Sequence, residues 1–234
     1  MAATGTTPLE YDAWRGTALG LVTERLERRA VLDLAGPLEG LRVLELGCGD
    51  GAYSVEAARA GARVTGLDRS GAALEGARRR ARGAGVELRP CRGDAAALPF
   101  PPASFDVVLA VTLLCFVDDP ARTVQEMARV LRPGGRLVLG ELGSFSLWGV
   151  WRRLRGWAGS TRWRQAHLWS PGALRSLALQ AGLRPGAMRG AAFHPPLGAA
   201  AIAMAPLDRI LGRHLVAGAA FLALEATRPG GVTG

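Results

Sequence analysis

The sequence predicts an α/β, doubly wound fold built on a mostly parallel sheet, and three observations carry that expectation. A short apolar run, Arg42-Val43-Leu44-Glu45-Leu46, is bounded by glycine and reads as a strand covered on both faces. It breaks into the alternating Gly47, Gly49 and Gly51 and then into helix-like sequence from Tyr53 to Arg59. Further short strand-like runs alternate with helical stretches, and no internal repeat interrupts them.

Taken in order, Met1 to Pro8 is small and polar, with neither the basic start nor the apolar core of a signal peptide. Tyr11-Asp12-Ala13-Trp14 then precedes a helical segment, about 18–34, that places Leu19, Val22, Leu26 and Ala30 on one face. The three glycines of the loop lack Cβ atoms, so they accept positive φ and let a ligand lie against the backbone. The loop feeds the positive end of the following helix. A second strand, Ala62 to Leu67, ends at Asp68; further strands are expected at about 86–90, 105–111 and 135–142, and helices at about 71–84 and 120–131. Pro133-Gly134-Gly135 closes the last of these helices and opens the next strand. Gly182 to Phe193 and Leu215 to Ala226 read as the two final strands, around a weakly patterned insert that contains Pro195, Pro196 and Pro206.

The glycine loop alone leaves its cofactor open. Gly47, Gly49 and Ala52, with Asp68 after the second strand, loosely fit a dinucleotide fingerprint. Glu45 points elsewhere, because a carboxylate before the glycines suits a cofactor with a positive amino-acid end better than a pyrophosphate. The plainer alternative is that Glu45 only caps the loop.

Composition narrows the function classes. With 234 residues and 49% hydrophobic content the chain can bury one sizeable core. Cys48, Cys91 and Cys115 are odd in number and lack Cys-x-x-Cys spacing, which argues against a disulfide framework or a zinc site and for a reduced compartment. His167, His194 and His214 are scattered, and no metal is expected. The net charge of +9 would suggest a nucleic-acid partner, yet all 29 basic residues are arginine and asparagine is missing as well. With abundant Ala and Gly, that pattern points to GC-rich coding. The missing lysine excludes a P-loop lysine, a Schiff base and a Tyr-x-x-x-Lys pair. Leu197 to Leu207 is apolar but falls short of the ~20 residues a span needs, so a cytoplasmic location is expected.

Five of the six tryptophans, at 148, 151, 157, 163 and 169, cluster with arginines between Phe145 and Trp169. Helical spacing puts Leu147, Val150, Trp151, Leu154 and Trp157 on one face and Arg152, Arg153 and Arg155 opposite. Such a helix fits a lid over an apolar substrate; it also fits plain core packing, or a membrane-surface contact through 147–158.

Val43 to Gly51, Leu67-Asp68-Arg69-Ser70, Gly93-Asp94-Ala95-Ala96-Ala97-Leu98-Pro99-Phe100, Ser104-Phe105-Asp106-Val107-Val108 and Leu131-Arg132-Pro133-Gly134-Gly135-Arg136-Leu137 stand in this order along the chain. Together they resemble class I S-adenosylmethionine-dependent methyltransferases of the type 11 group, over about residues 8–145. The resemblance implies a Rossmann-like seven-stranded sheet whose last strand is antiparallel, and S-adenosyl-L-methionine as cofactor. It implies that the loop Gly47, Cys48, Gly49 and Gly51 passes beneath the methionine part, with Glu45 facing its amino group. Asp68 would take the ribose hydroxyls and Arg69 would flank the adenine. Asp94 and the Ala95 N–H would meet the adenine edge, and Val111 would offer a backbone contact to the methionine amino group.

Many relatives carry Glu-His or His-His where Thr112-Leu113-Leu114-Cys115-Phe116-Val117 stands here, so a general base from that loop is in doubt. Tyr11, which the resemblance places near the sulfonium, and His167 remain as catalytic candidates. The expected acceptor is a small, apolar metabolite. The alternatives are an RNA or DNA methyltransferase using the basic face, which lacks an Asn-Pro-Pro-Tyr-like motif, and a cofactor-binding protein without catalysis. The expected layout is one domain, with a helical cap (1–35), a cofactor core (36–142), a Trp/Arg-rich lid (143–181) and the final strands (182–234).

Overall fold

The computed structural model describes residues 14–230, so Tyr11 lies outside the described residues. The first described helix, α1 (Ala18–Ala35), opens where the Thr17 side chain accepts the Gly20 N–H and closes at Gly36, which takes positive φ and donates its N–H to the Leu32 carbonyl. There follow β1 (Arg42–Leu46), α2 (Ala52–Arg59), β2 (Arg63–Asp68), α3 (Gly71–Ala84), β3 (Arg89–Arg92), β4 (Phe105–Val111), α4 (Pro120–Val130) and β5 (Leu131–Leu142). The second half holds α5 (Leu147–Trp157), α6 (Thr161–Gln165), α7 (Pro171–Gln180), β6 (Arg184–Ala191), α8 (Gly198–His214) and β7 (Phe221–Thr227).

The seven strands form one sheet in the order β3-β2-β1-β4-β5-β7-β6. β1 pairs in parallel with both β2 and β4, so the winding reverses there and opens a crevice at the carboxyl ends of the strands. β7 runs antiparallel to both β5 and β6. Helices cover both faces. On one, Leu44, Leu46, Val108, Leu137 and Leu139 pack against Val124 and Met127 of α4 and Leu174 of α7. On the other, Val43, Val107, Leu109 and Val138 meet Val31 and Leu34 of α1 and Ala57 of α2. Because every central strand is covered twice, its residues read as continuous apolar runs.

Three expectations need correction. β3 begins at Arg89 instead of 86, because Gly85 and Val86 spend their N–H groups on Arg82 and Ala81 carbonyls to close α3. The final strand begins at Phe221, and the chain before it is loop. The insert between the last strands is the 17-residue helix α8, which runs through Pro206. A proline ring fits helical φ and removes one hydrogen bond. The alanines around it favour helix, and Asp208 of α8, buried, accepts the N–H groups of Ala192 (3.0 Å) and Phe193 (2.7 Å) and so fastens the helix to the end of β6. Among the described residues, no helix is long and apolar enough to cross a membrane.

Candidate cofactor and acceptor site

The loop after β1 turns on left-handed residues: Gly47, Gly49 and Gly51 have φ of 65°, 53° and 78°. Added Cβ atoms at Gly47 and Gly51 would come within 3.0 Å of Leu113 and 2.9 Å of Ala77, whereas one at Gly49 would meet nothing within 4 Å. The middle of the loop thus faces open space, walled by backbone. Asp68, at the end of β2, accepts the Gly49 N–H at 2.9 Å and the Ser70 N–H at 2.8 Å, joining two loops of the crevice.

Glu45 is buried beneath α2, where the Ser54 hydroxyl donates to it. Burial outweighs that bond and pushes the carboxyl up to about 8. Cys48 is buried beside it, and burial raises its thiol, which leaves it an inert packing group. Asp94 is exposed just past β3, where its side chain accepts the Ala96 N–H at 2.9 Å; Ala95 is buried, and Arg69 is exposed. Val111 ends β4 opposite Gly140 of β5. All ten residues expected at the cofactor therefore lie at the carboxyl ends of β1 to β4. An open glycine cradle flanked by Asp68 and Asp94, with a buried carboxyl behind it, fits a nucleoside joined to a cationic amino-acid tail.

A clasp not foreseen in the sequence crosses this loop. Arg15 bonds Asp50 of the glycine loop at 2.8 Å and Glu24 of α1 at 2.6 Å, and Arg80 of α3 also reaches Asp50. Burial works against the charge on Asp50, but these guanidiniums hold its carboxyl below the usual range.

Beside the crevice, past the ends of β4 and β5, lies a cavity of about 710 Å³. Trp14, Trp148, Trp151 and Trp163 wall it, with Thr112 at its floor and Glu27 of α1 and Arg152 of α5 among its lining. Trp148 is the hub: it stands edge-on to Trp14 at 6.4 Å and to Trp151 at 5.8 Å, and its Nε1 donates to the His194 carbonyl at 2.9 Å. The Arg152 guanidinium lies 5.3 Å from the Trp148 ring and 5.4 Å from that of Trp163. Its Nη1 donates to the Ala220 carbonyl at 3.2 Å, while its buried Nε has no partner. Burial lowers Arg152 to about 10, against the attraction of Glu27. Glu27 is partly buried and pushed up to about 7 by desolvation, against Arg152 and with help from Glu24.

The floor of the cavity is a tight turn. Thr112, a β-branched residue, has φ of 49°, and its N–H meets the Gly140 carbonyl at 2.6 Å. The next three N–H groups, of Leu113, Leu114 and Cys115, all point at the buried Glu141 carboxylate of β5. His167, a sequence candidate for base, is exposed and packs on Trp169 at 4.3 Å; it is not among the residues that line the cavity.

Burial decides which side of α5 turns inward. Trp148 and Arg152 point inward, whereas Leu147, Val150, Leu154 and Trp157 are exposed. Sequence reasoning missed Glu27, Arg152 and Glu141. Of these only Glu141 carries a local signal, a lone acid within the apolar run of β5.

Residues 44–139 match the family model described as a methyltransferase domain. A demethylmenaquinone methyltransferase of Beutenbergia cavernae is 44% identical over 124 residues, 53% of this chain and 50% of that protein. A ubiquinone biosynthesis O-methyltransferase of Bordetella pertussis is 34% identical over 177 residues, 70% of this chain and 71% of the relative. The chain spans about half the length of the demethylmenaquinone relatives it matches. Among solved structures, a SAM-dependent methyltransferase of Thermotoga maritima superposes with a TM-score of 0.72 at 26% identity, covering 94% of this chain and 95% of that one. The ordered motifs, the sheet and the length of the shared sequence agree, and the chain belongs to the S-adenosylmethionine-dependent methyltransferase family.

Proposed function

We propose that the protein transfers a methyl group from S-adenosylmethionine to the hydroxyl of a small, largely apolar aromatic acceptor. The observation that carries this reading is the tryptophan-walled cavity past the carboxyl ends of β4 and β5, whose lining residue Thr112 is followed by Leu113, which packs over Gly47 of the glycine loop. The relatives named for demethylmenaquinone and for ubiquinone biosynthesis support a ring-bearing acceptor of quinone type.

In this reading the cradle of Gly47, Cys48, Gly49 and Gly51, with Glu45, Asp68, Arg69, Asp94, Ala95 and Val111, holds the cofactor. Bound there, S-adenosylmethionine supplies a methyl group already activated by its sulfonium sulfur. The chain's own task is alignment and exclusion of water, and orientation alone is worth on the order of 7–11 kcal/mol. The tryptophan rings fix the acceptor plane, with residues 143–181 serving as the lid. Glu27 would take the proton: as the acceptor oxygen is methylated, its hydroxyl proton would pass to the Glu27 carboxylate and from there to solvent. A carboxylate held near neutrality suits that exchange. The arginines around it favour a developing oxyanion over a cationic amine.

The test is turnover with isotope-labelled S-adenosylmethionine against a panel of phenols and hydroquinones, read by mass spectrometry. The expected result is a labelled methyl ether. Cofactor binding without transfer to any acceptor would leave a non-catalytic binding protein, and transfer to RNA or DNA alone would reassign the substrate class.

A further inference from the structure

We propose that α5 docks the protein on the surface of an anionic lipid bilayer. The use of that docking, to admit a membrane-dissolved acceptor to the cavity, rests on the function proposed above.

The helix is built inside out for a water-facing element. Leu147, Val150, Leu154 and Trp157 follow one another at helical spacing and are 60%, 52%, 52% and 83% exposed, with Phe145 70% exposed just ahead. On the opposite side α5 buries Trp148, Arg152 and two glycines. An apolar stripe turned to solvent while an arginine is turned inward marks a face made for something other than water.

Charge identifies the occupant. From Leu142 to Leu207 the chain has no aspartate or glutamate, yet it carries Arg152, Arg153, Arg155, Arg162, Arg164 and Arg175, followed by Arg184 and Arg189. GC-rich coding explains arginine in place of lysine; it does not explain the absence of acids from this stretch. Arg153 and Arg155 are exposed beside the stripe. An apolar stripe with a tryptophan and flanking arginines is the pattern of a helix lying in a bilayer interface over anionic headgroups. A second copy of this chain would set like charges against one another across a two-fold axis, and a nucleic acid would leave the apolar stripe unburied.

Placement connects the face to the site. Trp148, Trp151, Arg152 and Arg155 of the same helix line the acceptor cavity, so a docked α5 would hold the cavity at the lipid surface.

Vesicle flotation tests this, with phosphatidylglycerol–phosphatidylcholine vesicles beside pure phosphatidylcholine. The wild-type chain is compared with the double variant Leu154→Ser, Trp157→Ser and with Arg153→Gln, all outside the cavity lining. Circular dichroism and S-adenosylhomocysteine binding confirm that each variant is folded. The wild type is expected to float with the anionic vesicles, and the double variant to lose at least about tenfold in bound fraction. Arg153→Gln should weaken binding and make it less salt-sensitive. No flotation of the wild type, equal flotation with neutral vesicles, or flotation untouched by the double variant would overturn the proposal. So would a dimer in sedimentation that the double variant abolishes, since a second copy would then cover the face. Flotation without cofactor binding would leave the docking intact and defeat the methyltransferase reading, so the two failures are distinguishable.

Discussion

The buried Glu141 carboxylate on β5 accepts the Leu114 backbone N–H at 2.7 Å, and takes those of Leu113 and Cys115 at 3.1 Å and 3.2 Å. One side chain thereby fixes the turn after β4, the turn that holds Thr112 at positive φ on the cavity floor. Glu141→Ala would leave three inward N–H groups without an acceptor, a loss on the order of 3 kcal/mol. Glu141→Gln keeps one acceptor oxygen and should lose less. Urea unfolding of the two variants measures this, and an alanine variant as stable as wild type would refute the role.

The buried acids set the pH dependence of stability. Glu141 and Glu45 are pushed up to about 8, and Glu27 to about 7, all by burial. Their folded values lie above the unfolded value of about 4.3, so between the two the folded state binds more protons. Their contribution is full below about 4.3, shrinks as pH rises toward about 8, and is level beyond that. Denaturant midpoints followed from mildly acidic to mildly alkaline buffer should fall less steeply for Glu141→Gln than for wild type. Equal slopes would show that Glu141 is ionised throughout.

Glu27→Gln isolates the proposed proton acceptor. It should lower kcat by about 10²-fold or more and abolish the rise of kcat/KM with pH through neutrality. S-adenosylhomocysteine affinity should be unchanged, because Glu27 lines the cavity and not the glycine cradle. An unaltered pH profile would remove Glu27 from the chemistry.

Arg15 bridges Asp50 and Glu24, both partly exposed, so Arg15→Ala should cost less than about 1 kcal/mol of stability. It should still weaken cofactor affinity several-fold, most at low salt, by freeing the glycine loop. Calorimetry at two ionic strengths reads both effects, and a loss independent of salt would speak against an ionic clasp.

The parts of the fold legible in the sequence were those fixed by local rules. β1, β4 and α3 stand where short apolar runs and glycine boundaries place them, and Asp68 stands where a strand ends at a loop. What was not legible depends on contacts distant along the chain. Glu27 and Arg152 lie on helices more than a hundred residues apart, and only the folded chain brings both into the lining of one cavity. Helical spacing separated the two faces of α5 but carried no information on which one turns inward; the tryptophan cluster around Trp148 decides that. The insert holding Pro206 read as weakly patterned because the Asp208 anchor that holds α8 in place is tertiary.

Cofactor binding by the glycine cradle is read by calorimetric titration of S-adenosylhomocysteine into the wild type and into Asp68→Ala. The cradle of Gly49 and Asp68 should bind the ligand, and the alanine variant should bind at least about tenfold more weakly, a loss of about 1.4 kcal/mol or more. Wild-type protein that does not bind, or an Asp68→Ala variant that binds equally well, would contradict it.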